Sequence, residues 1–198
     1  MRRAVAAAAF FLVAVTTYAW GAERANASML VSAAVAGDEM RLRKTIADLK
    51  ALPKPVRVDR PRARQLNDRG LALWQRQRYA EAAAIFKDAH HADASDAEIV
   101  ENLGYALLKA GDVIGAEPAI LAALEMAPER ASAWGSLGLI YAIQGKHREG
   151  VACVLTAYRF ALQPSRALDV YSRLALAHEN PNVRAMMSDV MSLSLIHI

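Results

Sequence analysis

One spacing recurs through the middle of this 198-residue chain and restricts what it can fold into. Gly70, Gly104 and Gly138 are 34 residues apart, since 104 − 70 and 138 − 104 both equal 34. The same interval separates four further sets of apolar residues: Leu66, Val100 and Trp134; Leu73, Leu107 and Tyr141; Phe86, Ile120 and Val154; Ala89, Ala123 and Ala157. A self-similarity of this length is typical of stacked helical hairpins, because one hairpin cannot bury its apolar face alone. The sequence therefore predicts three units, at 63–96, 97–130 and 131–164.

Within each unit, apolar residues at three- and four-residue steps predict two helices joined by a turn. Gly111 and Gly145 follow the first helices of the second and third units and favour helix termination, whereas the first unit has Gln77 there. Pro118 falls well inside the second helix of its unit, where it removes a backbone donor. That helix is therefore expected either to start late, near Gly115, or to be kinked.

The third unit carries the fullest set of motif residues. It runs Trp134-Gly135-Ser136-Leu137-Gly138-Leu139-Ile140-Tyr141, followed by Gly145 and Ala157. This resembles the tetratricopeptide repeat family, and the resemblance covers about 100 of the 198 residues. It implies an all-α fold: a right-handed α-solenoid of helix-turn-helix repeats with capping helices. In this family the first helices of successive units line a concave groove that binds a peptide or a partner helix.

The resemblance also implies which residues line that groove here. The matching positions are Asn67, Leu71, Trp74, Gln75, Glu98, Glu101, Asn102, Tyr105, Leu108, Lys109, Ser132, Ser136, Leu139, Ala142 and Ile143. Among them Trp74, Tyr105, Leu108, Leu139 and Ile143 are expected to form an apolar floor, beside an acidic rim of Glu98 and Glu101. Aromatic anchors commonly carry much of the binding energy of an interface. The alternative is that Trp74 and Tyr105 pack between repeats or against a preceding helix.

Two helices are predicted after the third unit, and they form a degenerate fourth unit or cap over residues 165–191. Residues 192–198, Ser-Leu-Ser-Leu-Ile-His-Ile, break the helical pattern and look like translated sequencing-adapter sequence. An artefactual tail is therefore expected there, with a natural chain that continues differently beyond about Met191.

The N-terminus has the pattern of an export signal. Arg2 and Arg3 precede an apolar run over 4–15, and Ala25-Asn26-Ala27 fits the small residues of a cleavage site. A signal peptide over 1–27 and a periplasmic location are therefore expected. The alternative is an uncleaved anchor in the inner membrane, since residues 4–22 have the length to span a bilayer.

Residues 28–62 are predicted to form a helical lead-in and a basic, proline-containing linker. The lead-in either caps the first repeat or forms a separate arm. Residues 41–64 hold nine basic groups against two acidic ones, a net +7, whereas residues 65–130 hold six against eleven, a net −5. Without interleaved aromatic residues this basic stretch does not indicate nucleic-acid binding, and it is a candidate for peripheral contact with a membrane.

The sequence lacks the usual signatures of catalysis, so no enzyme, cofactor or metal is expected. His90 and His91 are adjacent, and adjacent helical residues point about 100° apart, which disfavours a shared metal. Cys153 is the single cysteine and is interpreted as a packing residue, with an intermolecular disulfide as the alternative.

The function expected from these features is a non-catalytic adaptor or scaffold of the cell envelope, which binds a protein partner in the repeat groove. The alternative is a membrane-tethered envelope, secretion or pilus assembly factor whose N-terminal anchor is retained.

Overall fold

The computed structural model describes residues 26–196, which form consecutive helices joined by short connections. The lead-in contains α1, over residues 26–36, and α2, Glu39–Ala51. The repeat helices are α3 (Arg60–Gln75), α4 (Tyr79–Ala92), α5 (Ala97–Lys109), α6 (Val113–Met126), α7 (Ala131–Ile143) and α8 (His147–Arg159). The C-terminal pair is α9 (Pro164–Ala177) and α10 (Pro181–Ile196). Residues 1–25 of the predicted signal segment and residues 197–198 of the predicted tail lie outside the described residues.

No helix within residues 26–196 combines the length and the apolar content needed to cross a bilayer. The predicted alternative of an N-terminal anchor concerns residues 4–22, which are not among those described.

Each predicted unit contains two antiparallel helices that meet at a glycine. A Cβ atom added to Gly138 on α7 would lie 2.5 Å from Val154 Cγ2 on α8. A Cβ atom added to Gly70 would lie 2.5 Å from the Phe86 side chain, and one added to Gly104 would lie 2.7 Å from the Ile120 side chain. These contacts are shorter than any real Cβ makes, so a side chain at the glycine would force the two helices apart. The 34-residue interval therefore repeats the position at which the two helices of each unit touch.

The α6 helix begins at Val113, so the expectation of a late start is wrong. The side chain of Asp112 accepts a hydrogen bond from the backbone N–H of Gly115 at 2.8 Å. That cap stabilises the first turn, because it satisfies a donor that has no partner within the helix. Pro118 lies in the interior of this helix.

The lead-in packs on the second helices of units 2 and 3, so both predicted placements for it are wrong. Leu30 of α1 and Ile46 of α2 are buried in one core cluster with residues of α6, α7 and α8. The backbone N–H of Ala27 donates to Glu125 of α6 at 3.0 Å. Arg148 of α8 donates to the carbonyl of Val35 at 3.4 Å. Periodicity within the lead-in predicted an apolar stripe, but it contains no information on which distant helix covers that stripe.

The C-terminal pair covers unit 3, but with its second helix, whereas a fourth unit would contact unit 3 with its first helix. α10, the second helix of the pair, packs on α7 and α8, and α9 packs mainly on α10. Met186 of α10 lies against Gly150 of α8, where an added Cβ would be 2.6 Å from its Sδ. The helix also continues through Ile196, with Ser194 buried and its hydroxyl donating to the carbonyl of Val190 at 2.8 Å. The expectation that the helical pattern breaks after Met191 is therefore wrong.

Candidate partner-binding surface

Four side chains form a cluster where the first helices of units 1 and 2 end. The ring centroid of Trp74 lies 6.0 Å from that of Tyr105 and 6.0 Å from that of Tyr79. Lys109 Nζ lies 5.6 Å from the centroid of the Tyr79 ring. These are stabilising aromatic and cation–π contacts. Burial, and then the neighbouring Tyr79, raise the pKa of the Tyr105 phenol, which therefore stays neutral at physiological pH.

Trp74 and Tyr105 pack against each other between repeats, since they lie on α3 and α5. Both are half-buried, so each also presents part of its ring to solvent. Tyr79, at the start of α4, was not predicted as part of this surface, because the groove positions of the family lie on first helices only. An aromatic residue two positions after the turn residue Gln77 is the signal that could have identified it.

Five of the predicted groove residues are buried and cannot contact a partner directly: Asn67, Glu101, Leu108, Ser136 and Ala142. Asn67 is 2% exposed, and its Oδ1 accepts a hydrogen bond from Asn102 Nδ2 at 2.9 Å. Glu101 is 6% exposed and is ion-paired with Arg130. Leu108 is 8% exposed and belongs to the main core cluster. The expected roles of Leu108 in the floor and of Glu101 in the rim are therefore wrong, because both side chains join neighbouring helices instead, as that of Asn67 does.

The predicted acidic rim is not present as free negative charge. Arg64 Nη1 lies 3.0 Å from Glu98 Oε2, and its Nη2 lies 2.6 Å from Asp96 Oδ2. Together with the Arg130 pair on Glu101, these contacts neutralise the carboxylates of α5. Glu98 keeps 40% of its side chain exposed, but it does so as half of an ion pair.

The C-terminal end of the predicted floor is partly covered by the cap. Leu139 and Ile143 pack against the cluster that α10 forms with α7 and α8. Both remain half-buried. The first-helix surface is defined here as eight of the predicted groove residues that keep solvent exposure: Leu71, Trp74, Glu98, Asn102, Tyr105, Lys109, Leu139 and Ile143. It is a partly apolar surface along the first helices α3, α5 and α7, with an aromatic centre.

A cleft that the sequence did not reveal lies between the lead-in and α8. It encloses about 780 Å³ and is lined by the α1–α2 corner, one side of α8 and the end of α10. A second cleft of about 510 Å³ continues it toward Lys50 and Phe160. Glu39 and Arg159 approach within 3.8 Å between the two. Hydrogen bonding from Arg43, and then the charge of Arg159, hold the pKa of Glu39 below its usual range. This feature depends on the unpredicted fold-back of the lead-in.

The histidine pair and the cysteine offer no reactive group. His90 Nδ1 is buried without a hydrogen-bond partner, and burial followed by the charge of His91 lowers the pKa of His90. No group of three or more His, Cys, Asp or Glu side chains suited to a metal occurs in the part of the chain that the structure describes. Cys153 is fully buried, and burial raises the pKa of its thiol well above the usual value. A protonated thiol without surface exposure favours neither nucleophilic chemistry nor an intermolecular disulfide.

Two solved structures share this architecture at low sequence identity. The Yersinia enterocolitica type III secretion chaperone SycD, in complex with a peptide of the translocator YopD, is 14% identical with a TM-score of 0.53. The match covers 66% of this chain and 93% of that one. The first tetratricopeptide repeat domain of Spaghetti (RPAP3), bound to the HSP90 peptide SRMEEVD, is 18% identical with a TM-score of 0.50 and covers 72% and 99% of the two chains. These likenesses confirm the predicted all-α helical-repeat solenoid.

No curated protein sequence matches the chain significantly. A family model described as tetratricopeptide repeat matches three overlapping stretches, residues 56–97, 67–120 and 101–161. Together they span residues 56–161, which is more than half of the 198 residues. The register of glycine contacts, the paired helices and this match agree, and the chain belongs to the tetratricopeptide repeat family.

Proposed function

We propose that this chain is a non-catalytic adaptor that binds a peptide or a single helix of a protein partner along its first-helix surface. The observation that carries the proposal is the set of half-exposed apolar and aromatic side chains on consecutive first helices. Leu71 and Trp74 lie on α3, Tyr105 on α5, and Leu139 and Ile143 on α7. The structural neighbours support it, because both were solved with a bound peptide.

The aromatic centre favours an apolar ligand over a basic one. Trp74 is already held between Tyr79 and Tyr105, so a partner orders few new side chains when it binds. The ion pairs on Glu98 and Glu101 leave little free negative charge on α5 for steering a basic partner. A ligand that places one or two apolar side chains against these rings therefore fits the surface best.

The test is a comparison of partner capture by matched double variants of the full chain. Trp74→Ala with Tyr105→Ala removes the aromatic centre and is expected to weaken binding by a factor of ten or more, on the order of a hot-spot loss. Ile114→Ala with Leu176→Ala is the control, because these side chains are 85% and 82% exposed and lie on α6 and α9. Leu71→Lys tests the same surface without altering the packed rings. The captured proteins are compared by mass spectrometry, and thermal unfolding confirms that each variant folds.

Loss of the same partner in both first-helix variants, with retention in the control, supports the proposal. If the three variants retain one common set of partners, the first-helix surface is not the binding site. If only the aromatic variant loses binding and its unfolding temperature falls sharply, the loss reflects unfolding, and the result for Leu71→Lys then decides.

We further propose that this adaptor acts in the cell envelope after export. The support is the arrangement of Arg2 and Arg3 before an apolar run over 4–15. N-terminal sequencing of the protein recovered from envelope fractions tests this. A mature start near Ser28 is the expected result, whereas an intact N-terminus favours the membrane-tethered assembly factor.

A further inference from the structure

The segment between α2 and α3 is extended and almost fully exposed. Residues 53–59 have no helical or strand pairing, and every residue from Ala51 to Arg62 is exposed. Its apolar side chains are exposed as well: Leu52 at 48%, Val56 at 81% and Val58 at 79%. A surface where three apolar side chains face water within seven residues is unusual for a region without a partner.

This segment is held at both ends along one edge of the repeat array. Just before it, Lys50 is ion-paired with Glu129, in the connection between α6 and α7. At its end, the backbone N–H of Asp59 donates to the carbonyl of Ala92, the last residue of α4, at 3.0 Å. The segment therefore runs between the C-terminal ends of the second helices α4 and α6. Because both of its ends are held there, its side chains stay exposed in the folded protein.

Within the described residues, the cations of residues 52–62 form no side-chain ion pair, in contrast to several basic residues on either side. On α2, Arg43 pairs with Glu39 and Lys44 with Asp48, and on α3 Arg64 pairs with Asp96 and Glu98. No side-chain ion pair involves the four linker cations within residues 26–196; they are Lys54, Arg57, Arg60 and Arg62.

Nearby carboxylates offset this charge only in part. Asp59, the one acidic residue of the segment, caps α3 by accepting from the backbone N–H of Arg62 at 3.1 Å. Asp93 is 1% exposed and its Oδ1 accepts from the Ser95 hydroxyl at 2.6 Å; this hydrogen bond and, to a lesser extent, the charges of Arg57 and Arg60 hold the pKa of Asp93 below its usual range. Four cations against one carboxylate leave residues 52–62 with a net charge of +3.

We propose that residues 52–62 bind the surface of a membrane containing anionic lipids, with Val56 and Val58 entering the interfacial region. A layer of anionic headgroups above an apolar interior takes up both components at once, the cations in the headgroups and the apolar side chains beneath them. An acidic protein segment would satisfy the cations but leave the two valines in water. The proposal is independent of the first-helix surface and confines membrane contact to the linker within the wider basic stretch 41–64.

The experiment measures co-flotation of the full chain with vesicles of phosphatidylcholine containing 30% phosphatidylglycerol, and with pure phosphatidylcholine, both at about 0.15 M salt. The linker variant is Lys54→Gln with Arg57→Gln and Arg62→Gln. The control variant is Arg41→Gln with Arg43→Gln and Lys44→Gln, which removes the same three charges from exposed positions on α2. Whatever residues 1–25 contribute is common to all of these proteins.

Each cation near an anionic surface adds about a factor of five to affinity, so the linker variant is expected to bind anionic vesicles at least tenfold more weakly. The α2 variant is expected to stay within about threefold of the wild type, because charges farther than a Debye length from the lipid are screened. Val56→Asn with Val58→Asn is expected to make the remaining binding more sensitive to salt.

Equal losses in the linker and α2 variants would mean that overall charge governs binding, and would overturn the proposal. If the linker variant binds anionic vesicles as strongly as the wild type does, the lipid affinity belongs to another segment and the proposal is wrong. Absence of wild-type binding, with linker-dependent capture of an acidic protein, would replace the lipid by that protein. Since all substituted side chains are exposed, thermal unfolding is expected to be unchanged in each variant.

Discussion

At the scale of single residues, the turns that end the first helices share one backbone conformation despite a difference in sequence. Gly111 and Gly145 have φ values of +88° and +76°, and Gln77, at the equivalent position of unit 1, has a φ of +58°. A residue with a Cβ is strained in this left-handed region, whereas glycine is not. The conformation is retained at Gln77 because the turn must still bring Tyr79 and α4 back against α3.

Gln77→Gly is expected to stabilise the protein by up to about 1 kcal/mol, because relief of left-handed strain exceeds the entropy that glycine adds to the unfolded chain. The reciprocal change, Gly111→Gln, is expected to destabilise it by about 1 kcal/mol. No atom lies within 4 Å of a Cβ placed on Gly111, so that cost is one of backbone conformation alone. Urea unfolding of the two variants checks both signs. Destabilisation by Gln77→Gly would show that the glutamine side chain makes a contact that outweighs the strain.

At the scale of helices, the lead-in is part of the repeat core. Leu30 has no exposed surface and lies in the same cluster as residues of α6, α7 and α8. Lys50 and Glu129 join the end of α2 to the connection between units 2 and 3. The lead-in therefore spans two units from the side opposite the first-helix surface and ties them to each other.

Leu30→Ala is expected to destabilise the whole array by about 2–5 kcal/mol, as for other fully buried leucines. Met29→Ala is the matched control, because Met29 is the adjacent residue and is 44% exposed, and a change of about 0.5 kcal/mol or less is expected there. Far-UV circular dichroism during thermal unfolding measures both. If Leu30→Ala behaves like the control, the lead-in is not docked on the repeats in solution.

At the scale of the whole molecule, the sequence predicted what depends on local periodicity. The 34-residue interval identified the glycine contacts at Gly70, Gly104 and Gly138, and these contacts set the helix pairs. It did not predict the position of α1 and α2, because an apolar stripe such as that of Leu42 and Ile46 indicates burial without indicating a partner.

The candidate site was predictable only in part, for a related reason. A resemblance assigns positions to a face, but it does not distinguish an exposed side chain from one that joins two helices. Asn67 and Glu101 occupy groove positions, but Asn67 is hydrogen-bonded to Asn102 and Glu101 is ion-paired with Arg130. The partners in these two pairs are 35 and 29 residues apart in the sequence, so the periodicity within one helix cannot predict that they meet.

The position of α10 has a consequence for how this protein can change in evolution. α10 lies against α7 and α8, where each earlier unit is met by the first helix of its successor, and Met186 fills the space left open at Gly150. A duplicated unit inserted after unit 3 would have to displace α10 and uncover Val183, Met187 and Val190. A further repeat can therefore dock on unit 3 only if α10 moves away from α7 and α8.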